Sequence, residues 1–94
     1  MLLENFKQDV FVHYSHKFKG RGGWIVECNV NCDNVKTVFT TYTTDSMFID
    51  KLRDMRDDDA AHEDIQMEYH NRFFHEFEER IIESFKLERC KNRR

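Results

Sequence analysis

His62-Glu63-Asp64-Ile65-Gln66 stops one imidazole short of a zinc-binding helix. A HExxH helix holds its metal through two histidines four residues apart, with the glutamate between them as general base. Here Gln66 stands at the second ligand position, so metalloprotease chemistry fails for want of a ligand. The segment reads instead as the acidic start of a helix, where Glu63 and Asp64 favour the helix dipole. His16 and His70 are the other imidazoles of interest. His70 falls among Phe73, Phe74 and Phe77, and His16 falls on the apolar side of a strand. A buried imidazole needs a hydrogen-bond partner, and structural pairing is expected of both. A metal or small-ligand site would require the two to meet, with Glu63 or a cysteine beside them.

The remaining polar constellations are weaker. Cys28, Cys32 and Cys90 form an odd set. Cys28 and Cys32 lie on one strand about 13 Å apart, beyond disulfide reach and a poor zinc half-site. All three read as free thiols, which predicts a reducing, cytoplasmic location. Asp57-Asp58-Asp59 with Glu63 lacks the spacing of a calcium loop and reads as a solvated cap cluster. His75 and Glu79 predict an i,i+4 ion pair. Lys17, Lys19 and Arg21 flank Gly20, Gly22 and Gly23, a candidate anion contact. That loop leads into a strand rather than a helix N-terminus, so it is no P-loop. Lys86, Arg89, Lys91, Arg93 and Arg94 add a basic C-terminal stretch. No GxSxG, no Cys–His pair in a recognisable setting and no carboxylate dyad appears. The expectation is therefore a non-enzyme, with no catalytic, cofactor-binding or metal residues.

Composition narrows the class further. Ninety-four residues suit one small α+β domain, 1–94, and nine Phe among thirteen aromatics help a thin core. A chain of this size buries roughly 60–65% of its unfolded surface. A net charge of −3 argues against a generic nucleic-acid or membrane binder. There is no run of about 18 apolar residues, and Met1-Leu2-Leu3-Glu4 lacks the basic region of a signal peptide. Charge is uneven: residues 45–64 carry eight acids and three bases, an edge suited to a basic partner.

The elements that must position these groups follow from two periodicities. Period-two alternation predicts strands over Val10–Phe18, Trp24–Cys32 and Val35–Thr43. Asp33-Asn34 suits a two-residue hairpin turn, because both types tolerate positive φ. That turn sets Cys32 opposite Val35, Cys28 opposite Phe39 and Trp24 opposite Thr43. A five-residue loop, Lys19 to Gly23, sets Phe18 opposite Trp24, His16 opposite Val26 and Val10 opposite Cys32. Val10, Val12, Tyr14, His16, Phe18, Trp24, Val26, Cys28, Val30, Cys32, Val35 and Phe39 then share a core face. Phe11, His13, Ser15, Lys17, Ile25, Glu27, Asn29, Val38, Thr40 and Tyr42 share a mixed one. A one-residue slip would invert both sets, so their agreement across three strands supports the register.

Helical spacing then takes over. Asp45 is an N-cap for a helix over 46–57, whose stripe is Phe48, Ile49, Leu52 and Met55. A break is expected at Asp57–Asp59, because one helix to Arg89 would run about 66 Å. The second helix is expected over 60–89, with Ile65, Tyr69, Phe73, Phe74, Phe77, Ile81, Ile82 and Phe85 on one arc. Glu68–Arg72, Arg72–Glu76 and Glu76–Arg80 are its expected i,i+4 pairs. Its acidic opening differs from the lysine-rich motif of a double-stranded RNA-binding domain, which sets that family aside.

The predicted architecture is a three-stranded antiparallel meander with two C-terminal helices over its apolar face. The mixed face and the surplus arc of the long helix both ask to be buried, most simply in a homodimer. The expected function is a protein-interaction module: an adaptor, or an inhibitor encoded by a phage or mobile element. Phe11, Ile25, Val38 and Tyr42 are its candidate binding residues. The alternative is a nucleic-acid binder using Lys17, Lys19, Arg21 and the basic tail.

Overall fold

Alternating side chains and tight turns build the sheet. The computed structural model describes residues 1–90. Strands β1 (Leu2–Leu3), β2 (Val10–Gly20), β3 (Gly23–Cys32) and β4 (Val35–Thr43) form one antiparallel sheet in the order β1-β2-β3-β4. Helices α1 (Ser46–Asp57) and α2 (His62–Phe85) follow. Every cross-strand pair expected from the turns is present, from Val10 opposite Cys32 to Trp24 opposite Thr43. Asp33 and Asn34 both take positive φ, as their turn requires.

The structure corrects the expectation in three places. The sheet has four strands, because Leu2–Leu3 pairs with Val10 and Phe11. Two residues carry too little alternation to read as a strand. The wide loop from Lys19 to Gly23 is instead a tight turn at Arg21-Gly22, with a register shift between Phe18 and Gly20. Gly20, Arg21 and Gly22 all take positive φ there. The second helix starts later and ends earlier than 60–89. Ala61 caps it without a side-chain bond, and Glu63 and Asp64 occupy its first turn. Asp58 closes α1 rather than opening α2, its N–H bonding back to Asp54 and Arg56 carbonyls. Lys86 turns left-handed, and the chain then runs back beside its own start. Lys7 N–H donates to the Glu88 carbonyl and Cys90 N–H to the Asn5 carbonyl, both at 2.8 Å. Those bonds and the burial of Leu87 offset the roughly 1–2 kcal/mol of a non-glycine left-handed residue.

Both helices lie on one face of the sheet, as expected. Asp45 caps α1 by accepting from Phe48 N–H at 3.1 Å. Phe48, Ile49 and Leu52 of α1, and Tyr69, Phe73, Phe77 and Ile81 of α2, meet Val10, Val12, Tyr14, Val26, Cys28 and Val30 in one core. Phe18 and Val35 belong to this face by register, yet they are exposed, because the helices stop short of the strand ends. The surplus arc of α2 also finds cover within the chain. Leu3 and Phe6 are buried in the same core, and Met1, Ile65, Phe74, Ile82 and Phe85 pack against it. One of the two reasons for expecting a homodimer is thus removed.

The charged pairs expected along α2 do not form there. Arg72 reaches Asp45 at 3.3 Å, and Glu68 meets Lys51 at 2.9 Å. Glu76 accepts from the Thr41 hydroxyl at 2.7 Å, and Arg80 donates to the Thr40 carbonyl at 2.9 Å. His75 lies beside Glu76 rather than Glu79, which approaches Arg89. The helix uses these groups to tie itself to α1 and β4.

The tightest tie between helix and sheet is Gln66. Its carboxamide oxygen accepts from Tyr14 N–H at 2.7 Å, and its nitrogen donates to the Tyr14 carbonyl at 3.0 Å. The side chain imitates a neighbouring strand where β1 has run out. Each main-chain group left buried without a partner costs about 1–3 kcal/mol. Gln66→Leu keeps the volume and removes both partners, so it is expected to cost about 3 kcal/mol. Urea unfolding measures this; a loss under about 0.5 kcal/mol, the scale of a neutral surface change, would refute the clamp.

Candidate functional site

Two histidine–tyrosine pairs lie crossed beneath the clamp. Tyr14 and His16 are successive inward side chains of β2, and Tyr69 and His70 are consecutive on α2. Tyr14 hydroxyl lies 2.8 Å from His70 Nδ1, and Tyr69 hydroxyl lies 2.6 Å from His16 Nδ1. The two tyrosine rings stack between them, centroids 5.7 Å apart. Each histidine therefore meets a tyrosine of the opposite element, with the stacked phenols between the two imidazoles. Among the described residues, no group of three or more His, Cys, Asp or Glu is placed to hold a metal.

Burial sets the protonation of this layer. It pushes the Tyr69 hydroxyl up to about 12 and raises that of Tyr14 further, with the Cys28 thiol beside Tyr14 adding to the effect. The Cys28 thiol is itself pushed up to about 12 by burial, which keeps it protonated. Burial also raises the Cys32 thiol, and Asp33 adds to it. Both phenols stay protonated, and each shares one hydrogen bond with a histidine Nδ1. Burial lowers both histidines; Arg56 lowers His16 further, while Glu78 partly opposes the effect at His70. The layer is built to be neutral.

The candidate binding residues all sit on the uncovered face of the sheet. Phe11, Val38 and Tyr42 are about half exposed, and Ile25 is partly buried. The register shows that they are not one patch. Ile25 pairs with Tyr42, while Phe11 pairs with Leu2 and Asn31 at the other end. Strand spacing and rise place Phe11 and Tyr42 about 20 Å apart, with Ser15, Glu27 and Thr40 across the middle. The Tyr42 ring lies over Gly23, in the space a Cβ there would take. Phe11 and Val38 flank a shallow concavity of about 380 Å³ that His13, Asn29, Asn31 and Lys36 also line.

The candidate anion contact is not assembled. Lys17 is paired with Glu27 at 3.1 Å, while Lys19 and Arg21 are exposed at the hairpin end. Arg89 is taken by Glu78 at 3.2 Å and lies over the Phe6 ring. Lys91, Arg93 and Arg94 lie outside the described residues.

Three contacts escaped the sequence reading. Gln66 carried a signal: a polar residue three before Tyr69 and seven before Phe73 sits on the apolar arc and must find a buried partner. Leu3 and Phe6 carried a fainter one, an i,i+3 apolar pair in a segment without other pattern. The stacking of His13 on His62, 5.3 Å between centroids, had none, because it depends on where α2 begins over the β2 edge.

The lowered histidines give the fold a pH dependence with a definite sign. Above about pH 6.5, the ordinary value for histidine, both states carry neutral rings and nothing is lost. As the pH falls through that value the unfolded chain takes up protons first, so stability declines until the lower folded-state values are passed. The urea midpoint is expected to fall between pH 7 and pH 5.5, and to fall less in the His16→Gln, His70→Gln double variant. An identical pH slope in both proteins would overturn the assignment.

No family model matches the chain, and no curated protein or solved structure matches it either.

Proposed function

We propose that this chain is a non-enzymatic protein-interaction module, an adaptor or an inhibitor, that works through its uncovered sheet. One observation carries the reading: the sheet is covered on one face only, and the other presents Phe11, Val38 and Tyr42 half exposed. Scattered apolar residues on a surface need no explanation. Large aromatics on an antiparallel platform, with Tyr42 lying over Gly23, are typical anchors of a binding surface.

The interior supports the same reading. The polar groups with chemical potential, His16, His70, Tyr14, Tyr69 and Gln66, are engaged in bonds that join helix to sheet. Among the described residues, no helix is long and apolar enough to cross a membrane. Free cysteines, two of them buried, fit the reducing cytoplasm proposed here. A nucleic-acid reading draws less support, since Lys17 and Arg89 are already paired with carboxylates.

The test is affinity capture from the native host with wild type and the Phe11→Ser, Tyr42→Ser variant. Both side chains are half exposed, so the fold is expected to lose no more than about 1–2 kcal/mol. Partner recovery is expected to fall at least about tenfold, the loss of one modest anchor. Retention of every partner by the folded variant would exclude this face.

A further inference from the structure

The two edges of the sheet are treated very differently. An open edge is a row of unpaired N–H and C=O groups, and proteins block such rows unless they are used. The β2 edge is paired as far as Tyr14 and guarded beyond it. Met1 and β1 pair its first residues, and Gln66 clamps Tyr14. Lys17 and Lys19 and the irregularity between Phe18 and Gly20 guard the remainder.

Among the described residues, the β4 edge has almost none of this. Its outward groups follow from the register. Val12 bonds to Met1 and Tyr14 to Gln66, so the even residues of β2 direct their main-chain groups to the outer edge. Odd residues of β2 then bond to odd residues of β3, and even residues of β3 to odd residues of β4. Lys36, Val38, Thr40 and Tyr42 are left facing outward. The Arg80 bond to the Thr40 carbonyl agrees with this parity and is the one guard that α2 supplies there. A carbonyl has two lone pairs, so Thr40 can still accept a second bond. β4 pairs with β3 over its full nine residues without a bulge, contains no proline, and carries one charge, Lys36.

We propose that β4 pairs antiparallel with β4 of a second copy of this chain, about a two-fold axis at Phe39, giving one continuous eight-stranded sheet. This goes beyond the interaction reading above, adding a self-pairing edge to the uncovered face. The occupant is a second copy because the strand is complementary to itself in this register. Val38 faces Thr40 of the other copy, Thr37 faces Thr41, and Lys36 faces Tyr42, a cation beside an aromatic ring. All four outward residues find partners in hydrogen-bonded pairs, and no like-charged strand residues stand directly opposite one another; the two Arg80 side chains, each over its own Phe39, flank the axis. Shifting the axis to Thr40 would bring two copies of the Arg80–Thr40 contact together. Shifting it to Val38 would set Lys36 beside that contact. Phe39, partly buried under Arg80, meets its own copy on the helix side. Strand pairing of this length buries close to the lower limit of stable interfaces, about 1,000 Å², so the dimer is expected to be concentration-dependent.

Light scattering and NMR on the full chain test this. At about 100 μM, within the range of micromolar pairs, a dimer mass is expected. A cross-peak between the α-protons of Thr37 and Thr41 is also expected. Within one chain these residues are about 13 Å apart, so the signal has to come from the second copy. Val38→Pro removes an outward N–H that the monomer does not use, and it is expected to abolish the dimer at that concentration. Val38→Lys keeps the backbone intact and is expected to weaken the dimer at least about tenfold by placing like charges across the axis. It stands in if the proline variant fails to fold. A monomer at all concentrations would overturn the proposal, as would a dimer that lacks the cross-peak and survives both substitutions. A dimer disrupted by Phe11→Ser alone would overturn the edge while leaving the uncovered face as the interaction surface. The capture experiment judges that broader reading separately.

Discussion

One carboxamide holds the two layers in register. Gln66 accepts from Tyr14 N–H and donates to the Tyr14 carbonyl, so a helix side chain completes a strand's hydrogen bonding. Each bond is worth only about 1 kcal/mol net, but the cost of leaving either group unpaired is larger. Hydrophobic contact alone would let α2 slide along the sheet, because burial is not directional. Two opposed hydrogen bonds on one residue are directional. With Gln66 opposite Tyr14, Tyr69 lies on His16 and His70 on Tyr14, and the Phe73, Phe77 and Ile81 side chains enter the core one after another.

The same clamp shapes the outside of the molecule. It closes the β2 edge where β1 ends, leaving β4 as the longer open edge. The sheet thus has one covered face and one wet face, one blocked edge and one open edge. The wet face is a platform with its apolar residues at opposite ends. The open edge has a contiguous row of outward main-chain groups. Directional bonding and buried area decide between such surfaces, and the edge offers the first where the face offers little of the second.

Most of the fold was legible in the chain. The turns and strict alternation led to the β2–β3 pairs from Val10–Cys32 to Phe18–Trp24 and to the β3–β4 pairs, though not to the Gly20–Gly23 pair, because one residue of slip would have inverted both faces. Asp45 and the stripe from Phe48 to Leu52 marked α1 with its observed bounds. The misreadings have two causes. The two residues of β1 are too few to show alternation. The early end of α2 and the burial of Phe6 and Leu87 go with residues 5–7 meeting residues 88–90. Contacts eighty residues apart leave no local period. The ion pairs of α2 were misread for the same reason: Arg72, Glu76 and Arg80 had partners four residues away but found others on different elements.

By itself, the sequence determined which side chains share a face, because strand and helix periods are local consequences of backbone geometry. It also determined that Gln66 is no zinc ligand. Only the tertiary structure decided what Gln66 is instead, because that depends on a strand edge fifty-two residues away being left without a neighbour. It likewise decided that His16 and His70 are divided by two stacked phenols rather than joined. Local spacing shows that a polar group is turned inward; the long-range arrangement of the chain supplies its partner.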